Sequence, residues 1–250
     1  MIRTRFNHAI ALAALALVAQ GGAVAAQQLP PAAEVVEKYM QVTGGHALAR
    51  FSARHMITEI SMPAMGMTMT VEVWSARPNR MFSKTEMNGM SITSGFDGTT
   101  AWFSSPATGA RILDGPEFKQ VFDNSSFDGN VDFAKVYPTM ETVGERTVEG
   151  HACWNVRMVS VSGTEVRQCF DKESGLLVGS TIERQQTAMG EVTAEVVINE
   201  YGTFDGMRIP TRMTTTAVGQ QMVTTVKSVS HAPVPDSLFV LPAEVRALRH

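Results

Sequence analysis

The sequence has few of the residue patterns that mark enzymes. Its six histidines are scattered and form no HExxH pair, and it contains neither a GxSxG motif nor a glycine-rich phosphate loop. Charged residues make up only 18% of the chain and the formal charge is −3, which excludes the basic surface of a nucleic-acid-binding protein. We therefore expect a protein that is not an enzyme and uses no cofactor.

Long apolar segments are missing after the first 26 residues. Residues 1–26 carry Arg3 and Arg5, an apolar run from Ala9 to Val18 and then small residues, which is the pattern of a secretory signal peptide. No later stretch approaches the roughly 18 to 20 apolar residues of a spanning helix. We expect an exported, soluble protein with no transmembrane segment. No cysteine stands at the expected cleavage site, so we also expect no lipid anchor.

The chain has only two cysteines, Cys153 and Cys169, and both lie in a predicted β-hairpin with its turn at residues 162–163. Alternation places both cysteines on the same face. Pairing position 153 with position 169 would also set Val156 opposite Val166, which is a favourable cross-strand pair. In an oxidising compartment we expect a disulfide here, and two free thiols are the alternative.

Two patterns of apolar periodicity divide the remaining chain. After Pro31 the apolar residues recur at helical spacing until Gly44, which predicts one amphipathic helix. From about residue 56 the period becomes two, and short glycine-containing turns favour an antiparallel meander. The predicted strands are 56–62, 65–77, 80–87, 90–95, 100–104, 139–146, 152–160, 164–171, 176–186, 191–201, 207–217 and 221–229. No linker divides residues 27–250, and we expect one domain.

Residues 115–138, which we call the lid, interrupt the strand pattern. Phe118, Val121 and Phe122 share one helical face, and Phe133 and Val136 indicate a second short turn of helix. Two short helices with apolar faces require an apolar surface to cover. A curved sheet with one open, apolar mouth would provide it.

The region around residues 62–77 is unusually rich in methionine. Alternation along the predicted strand 65–77 places one set of side chains on a single face: Met65, Met67, Met69, Val71, Val73, Ser75 and Arg77. Three interpretations of the methionines are open. They could pack as ordinary core, or bind copper through the thioethers of Met62, Met65, Met67 and Met69. They could also form a pliable cavity wall suited to acyl chains, because methionine is unbranched and polarizable.

Arg77 ends this apolar stripe and needs hydrogen-bond acceptors. Carbonyl groups at the end of a covering helix would satisfy it, and Arg77 would then act as a latch that holds the lid shut. An arginine that simply reaches solvent past Pro78 is the alternative.

Three stretches resemble the periplasmic outer-membrane lipoprotein carriers, the LolA-like family with its related LolB-like acceptors. They are "VEVWSARPNRMF" at 71–82, "SGFDGTTAWFSSPATGARIL" at 94–113 and "VPDSLFVLPAEV" at 234–245, about a fifth of the mature chain. The shared elements are the Arg77-Pro78 pair, Asp97-Gly98 before an Ala-Trp-Phe strand, and a phenylalanine just before a proline near the C-terminus. The cysteine pair is not a feature of the family pattern.

The resemblance implies a mainly β fold, an incomplete, strongly curved antiparallel half-barrel of about 11 to 12 strands capped by short helices. It implies a periplasmic protein that holds lipid or lipoprotein acyl chains and exchanges them with inner- and outer-membrane sorting components. Arg77 occupies the position of the family's lid-bonding arginine. The cargo-binding residues we expect are Met65, Met67, Met69, Val71, Val73, Phe118 and Phe122. A periplasmic copper-binding protein and a non-catalytic sensor module are the alternatives.

Overall fold

The computed structural model describes residues 28–129, 132–187 and 190–249. The expected signal peptide, residues 1–26, lies outside this part of the chain, as do residues 130 and 131 of the lid. No helix in the described part is both long and apolar enough to cross a membrane.

One antiparallel sheet of thirteen strands dominates the described chain. The strands are β1 (Ala53–Met62), β2 (Met67–Ala76), β3 (Arg80–Met87), β4 (Met90–Phe96), β5 (Ala101–Ser105), β6 (Gly109–Ile112), β7 (Thr139–Val148), β8 (His151–Val159), β9 (Glu165–Asp171), β10 (Leu177–Thr187), β11 (Gly190–Phe204), β12 (Met207–Ala217) and β13 (Gln220–Ser230). Their spatial order is β6-β5-β4-β3-β2-β1-β13-β12-β11-β10-β9-β8-β7, so β6 and β7 are edges and the sheet is open. The prediction of a mainly β, open half-barrel is confirmed.

All twelve predicted strands are present, and the structure corrects two details. Strand β6 was not predicted, because it is a four-residue edge strand with pairing on one side only. The predicted strand 65–77 begins instead at Met67, because Pro63–Met65 form a 3₁₀ turn that ends on Gly66 with φ of 61°. Such a left-handed conformation suits glycine, which has no Cβ to clash with the backbone.

Four α-helices and several 3₁₀ turns accompany the sheet in residues 28–129, 132–187 and 190–249. They are α1 (Ala32–Thr43), α2 (Gly115–Ser125), α3 (Phe133–Val136) and α4 (Ala243–Arg246), with a 3₁₀ helix at Gly45–Arg50. Helix α1 ends at Gly44 as predicted, where the left-handed glycine donates its N–H to carbonyls of the last turn. Helices α2 and α3 fall within the predicted lid.

Helix α2 shows how strongly the sheet is curved, because it contacts β4 and β5 on one side and β10 on the other. Strands β4 and β10 are seven positions apart in the sheet, which is about 34 Å along a flat sheet. A helix of 11 residues is only about 16 Å long. The two arms of the sheet must therefore curve towards each other, and α2 bridges them on the concave side.

The predicted disulfide between Cys153 and Cys169 is present, with Cα atoms 5.4 Å apart. The predicted register of its hairpin is wrong by two residues, since Cys169 lies opposite Asn155. The turn is wider than expected, and the N–H of Ser160 donates to the carbonyl of Thr164. A shift of two residues keeps every side chain on its expected face, so the two cysteines still meet.

Candidate functional site

The face of the sheet that α2 covers can be followed from strand to strand, because directly opposite residues of antiparallel neighbours share a face. Phe96 on β4 packs against Phe118 and Phe122 of α2, with ring centroids 5.9 Å apart in both pairs. Phe96 lies opposite Met81 on β3, and Met81 lies opposite Ser75 on β2. These residues mark the concave, inner face.

Every second residue of β2 before Ser75 lies on this inner face, including the predicted binding residues Val73, Val71, Met69 and Met67. The same register continues through β1, β13 and β12. We call the apolar part of this surface the methionine face: Met56, Ile60, Met62, Met67, Met69, Val71, Val73, Met213 and Met222.

Each residue of the methionine face is half-buried. A sheet face packed under helices would be buried, as Val156 and Phe170 are under α1 at the other arm of the sheet. The methionine face is therefore partly open on its concave side. It can offer apolar contacts to another molecule.

The other predicted binding residues lie elsewhere. Met65 is in the 3₁₀ turn before β2 and is 56% exposed, so it stands at the rim of the methionine face. Phe118 and Phe122 stack on each other and both meet the ring of Phe96 edge to face in a packed cluster. That cluster lies at the Ser75 end of β2, about 20 Å along the strand from Met69. The structure thus separates the lid phenylalanines from the methionines.

The Arg77 side chain, which follows directly after β2, contacts both the 3₁₀ helix Gly45–Arg50 and the lid. Its Nε donates to the carbonyl of Phe51 at 2.7 Å and one Nη donates to the carbonyl of Leu48 at 3.2 Å. These carbonyls end the 3₁₀ helix Gly45–Arg50. The other Nη pairs with the carboxylate of Asp128, three residues beyond α2, and the guanidinium covers the Phe127 ring at 4.7 Å. Arg77 therefore joins the lid to the 3₁₀ helix and to the end of β2.

A groove of about 630 Å³ lies between α2 and the inner face of β9 and β10. Its lining is largely polar and comes from Pro116, Lys119, Gln120, Asp123, Asn124, Tyr137, Ser160, Ser162, Gly163, Thr164, Glu165, Val166, Gln168, Ser180, Ile182, Glu183 and Glu191. The carboxylate of Asp123 accepts hydrogen bonds from Ser160 at 3.0 Å and Ser162 at 2.5 Å. Burial raises the pKa of Tyr137, and the charge of Asp123 raises it further.

Sequence reasoning did not identify this groove. The available signal was the polar face of α2, opposite the phenylalanines, where Lys119, Gln120 and Asp123 recur at helical spacing. The partner strands could not be found in this way, because β9 and β10 are more than 40 residues away in the chain.

The methionines also bear on the copper interpretation. Met62 and Met67 are direct cross-strand partners, and Met69 follows Met67 on the same face. Among the described residues there is no group of three or more histidine, cysteine or acidic side chains placed to hold a metal ion. The candidate ligands on this face are the thioethers of Met62, Met67 and Met69.

Comparison with solved structures identifies the fold. A LolA superfamily protein from Nitrosomonas europaea matches with a TM-score of 0.58 at 12% identity, over 85% of this chain and 98% of that one. A DUF1329 family protein from Desulfovibrio piger matches with a TM-score of 0.57 at 14% identity, over 84% and 97%. An outer-membrane lipoprotein-sorting protein domain from Vibrio parahaemolyticus matches with a TM-score of 0.51 at 11% identity, over 82% and 97%.

These similarities show that the chain has the LolA-like fold, as the three sequence stretches led us to expect. No family model matches the chain. No curated protein matches it in sequence either.

Proposed function

We propose that this protein is a periplasmic carrier or binding protein for lipid acyl chains, those of lipoproteins included. The observation that carries the proposal is the half-buried methionine face on the concave side of the sheet, whose two arms α2 bridges. Thioether and aliphatic side chains adapt to flexible apolar ligands. The LolA-like fold, shared with a lipoprotein-sorting domain, supports the same conclusion.

The lid and Arg77 would control access to the methionine face. Among the described lid residues, Asp128 alone pairs with the Arg77 side chain through a charge, while Leu48 and Phe51 bind it from the other side. Breaking these contacts would free the end of α2 from β2. On this proposal the contacts of Arg77 hold the closed state and their loss permits loading or release of cargo.

The direct test is native mass spectrometry of protein purified after export, together with organic extraction of bound lipid. We expect copurified lipid, or uptake of an acyl probe by the delipidated protein. Finding neither would contradict the proposal. Arg77→Leu should change the release rate of the probe, whereas an effect on stability alone would assign Arg77 a structural role.

Copper binding is the second candidate, because Met62 and Met67 face each other across β1 and β2. The same mass spectra would show it as about one Cu(I) per chain under reducing conditions. Replacing Met62, Met67 and Met69 by leucine should abolish copper binding while retaining acyl binding, because leucine keeps the apolar surface and removes the sulfur ligands.

A further inference from the structure

Arg54 is a second arginine on the inner face, and it takes no part in the contacts that join Arg77 to the lid. It lies on β1 directly opposite Ser75, which belongs to the inner face, and two residues before Met56 of the methionine face. Its side chain therefore projects from the concave side of the sheet, at the end where the lid is attached.

Across the described ranges, the guanidinium of Arg54 has no anionic partner. Its Cζ lies 5.8 Å from the centre of the buried Phe127 ring, and within the described chain it forms no hydrogen bond or ion pair. Burial lowers the pKa of Arg54, as desolvation of a cation should. Arg54 is nevertheless only half-buried, so an anion supplied from solution can reach the guanidinium and complete its hydrogen bonds.

The neighbouring carboxylate, that of Asp128, already forms an ion pair with Arg77. Arg77 also covers the Phe127 ring, at 4.7 Å, and it pairs with Asp128. Two guanidinium groups thus share one aromatic ring, and among the residues that the structure describes only Arg77 has a carboxylate partner. In this part of the chain the lid end of the inner face therefore carries one uncompensated positive charge.

Below Arg54 the inner face is mainly apolar over a length that suits a lipid chain, and Thr58 is the one polar residue on this face of β1. Met56, Ile60 and Met62 follow Arg54 along the same face of β1. The distance from residue 54 to residue 62 is about 27 Å along a strand. One acyl chain is roughly 15 Å long in a bilayer, whose hydrocarbon core is about 30 Å thick and two chains deep.

We propose that Arg54 binds the anionic head group of an amphiphile, a carboxylate or a phosphate, whose acyl chain lies along the methionine face. This inference rests on the proposed function and makes its cargo more specific. The guanidinium fork binds both kinds of oxyanion through paired hydrogen bonds. The neutral acylated end of a lipoprotein offers Arg54 no anion, so the inference favours free anionic lipids as cargo.

The test compares three probes with the same sixteen-carbon chain: palmitate, hexadecyl phosphate and the neutral hexadecanol. Binding is measured by calorimetry below the concentration at which the probes form micelles. We expect wild-type protein to bind at least one anionic probe about tenfold or more tightly than hexadecanol, the factor that one charge-assisted hydrogen bond supplies. The tighter of the two anions identifies the head group.

Arg54→Gln should abolish the preference for anions and leave the affinity for hexadecanol unchanged. Arg54→Lys, which keeps the charge, should retain part of the preference and guards against a folding defect in the glutamine variant. Arg212→Gln is the matched control, because Arg212 is exposed on the opposite face of β12 and should not affect the preference.

The outcomes separate the two proposals. If wild-type protein binds hexadecanol and the anions equally, or if Arg54→Gln keeps the preference, the role of Arg54 is refuted and the carrier function stands. If wild-type protein binds none of the three probes, the carrier function fails and the role of Arg54 fails with it.

Discussion

Replacing Arg77 by leucine should loosen the lid specifically. The substitution removes two charge-assisted hydrogen bonds to carbonyl groups and the ion pair with Asp128. Each hydrogen bond from a charged donor is worth about 1.5 to 3 kcal/mol. The Arg77 side chain is 31% exposed and Asp128 is 14% exposed, so we take the low end of this range and a contribution of about 1 kcal/mol from the pair.

The two hydrogen bonds hold the end of β2 to the 3₁₀ helix Gly45–Arg50, so their loss lowers the stability of that junction. The lid itself loses the ion pair with Asp128, while leucine retains some apolar contact with the Phe127 ring, and we expect a loss of about 1 kcal/mol in the free energy that keeps the lid closed. Amide hydrogen exchange measures this quantity locally. Amides of α2 should exchange roughly fivefold faster in Arg77→Leu than in wild-type protein, since 1.4 kcal/mol corresponds to a factor of ten.

Arg80→Leu is the matched control. Arg80 has the same 31% side-chain exposure and also makes an ion pair and an aromatic contact, but its partners are Asp236 and Phe239 near the C-terminus. It should leave exchange in α2 unchanged. Our reasoning would be refuted if Arg77→Leu lowered the free energy of unfolding while α2 exchanged at the wild-type rate.

Three further predictions concern ligand affinity, the disulfide and alkaline stability. Met222→Gln, on the inner face of β13, should weaken acyl-probe binding severalfold in a fluorescence titration, whereas Val223→Gln on the outer face should not; equal effects would contradict the assignment of the faces. Reducing Cys153–Cys169, whose separation is 16 residues, should lower the free energy of urea unfolding by about 3 kcal/mol, and an unchanged unfolding curve would refute this. Burial raises the pKa of Tyr39 to about 12. The protonated Tyr39 therefore contributes fully to stability below pH 10, and this contribution is lost as the pH rises towards 12. In Tyr39→Phe the free energy of unfolding, monitored by circular dichroism, should fall less between pH 10 and pH 12 than in wild-type protein, and an equal fall would contradict this.

Sequence reasoning recovered the fold well, because its main elements depend on local geometry. Period-two alternation and turn residues identified twelve of the thirteen strands, and the helical spacing of Phe118 and Phe122 identified α2. It failed at β6, where four residues are too few to show a period. It also failed at Met65, where the turn ending on Gly66 removed the residue from its expected strand.

The candidate site was predicted only in part. Alternation correctly placed Met67 and Met69 on one face, but sequence could not show which face would be concave or how far the lid would extend over it. The polar groove beside α2 and the unpaired Arg54 were both missed. Each depends on residues brought together from distant parts of the chain.

The sequence by itself determined which side chains share a face, because alternation along a strand and periodicity along a helix are set by neighbouring residues. It also determined that Cys153 and Cys169 would meet, since a register error of two residues does not change the face. Only the tertiary structure decided that the two arms of the sheet curve together under α2. That curvature leaves the methionine face half-open, and it places two arginines over one phenylalanine ring with a carboxylate for only one of them.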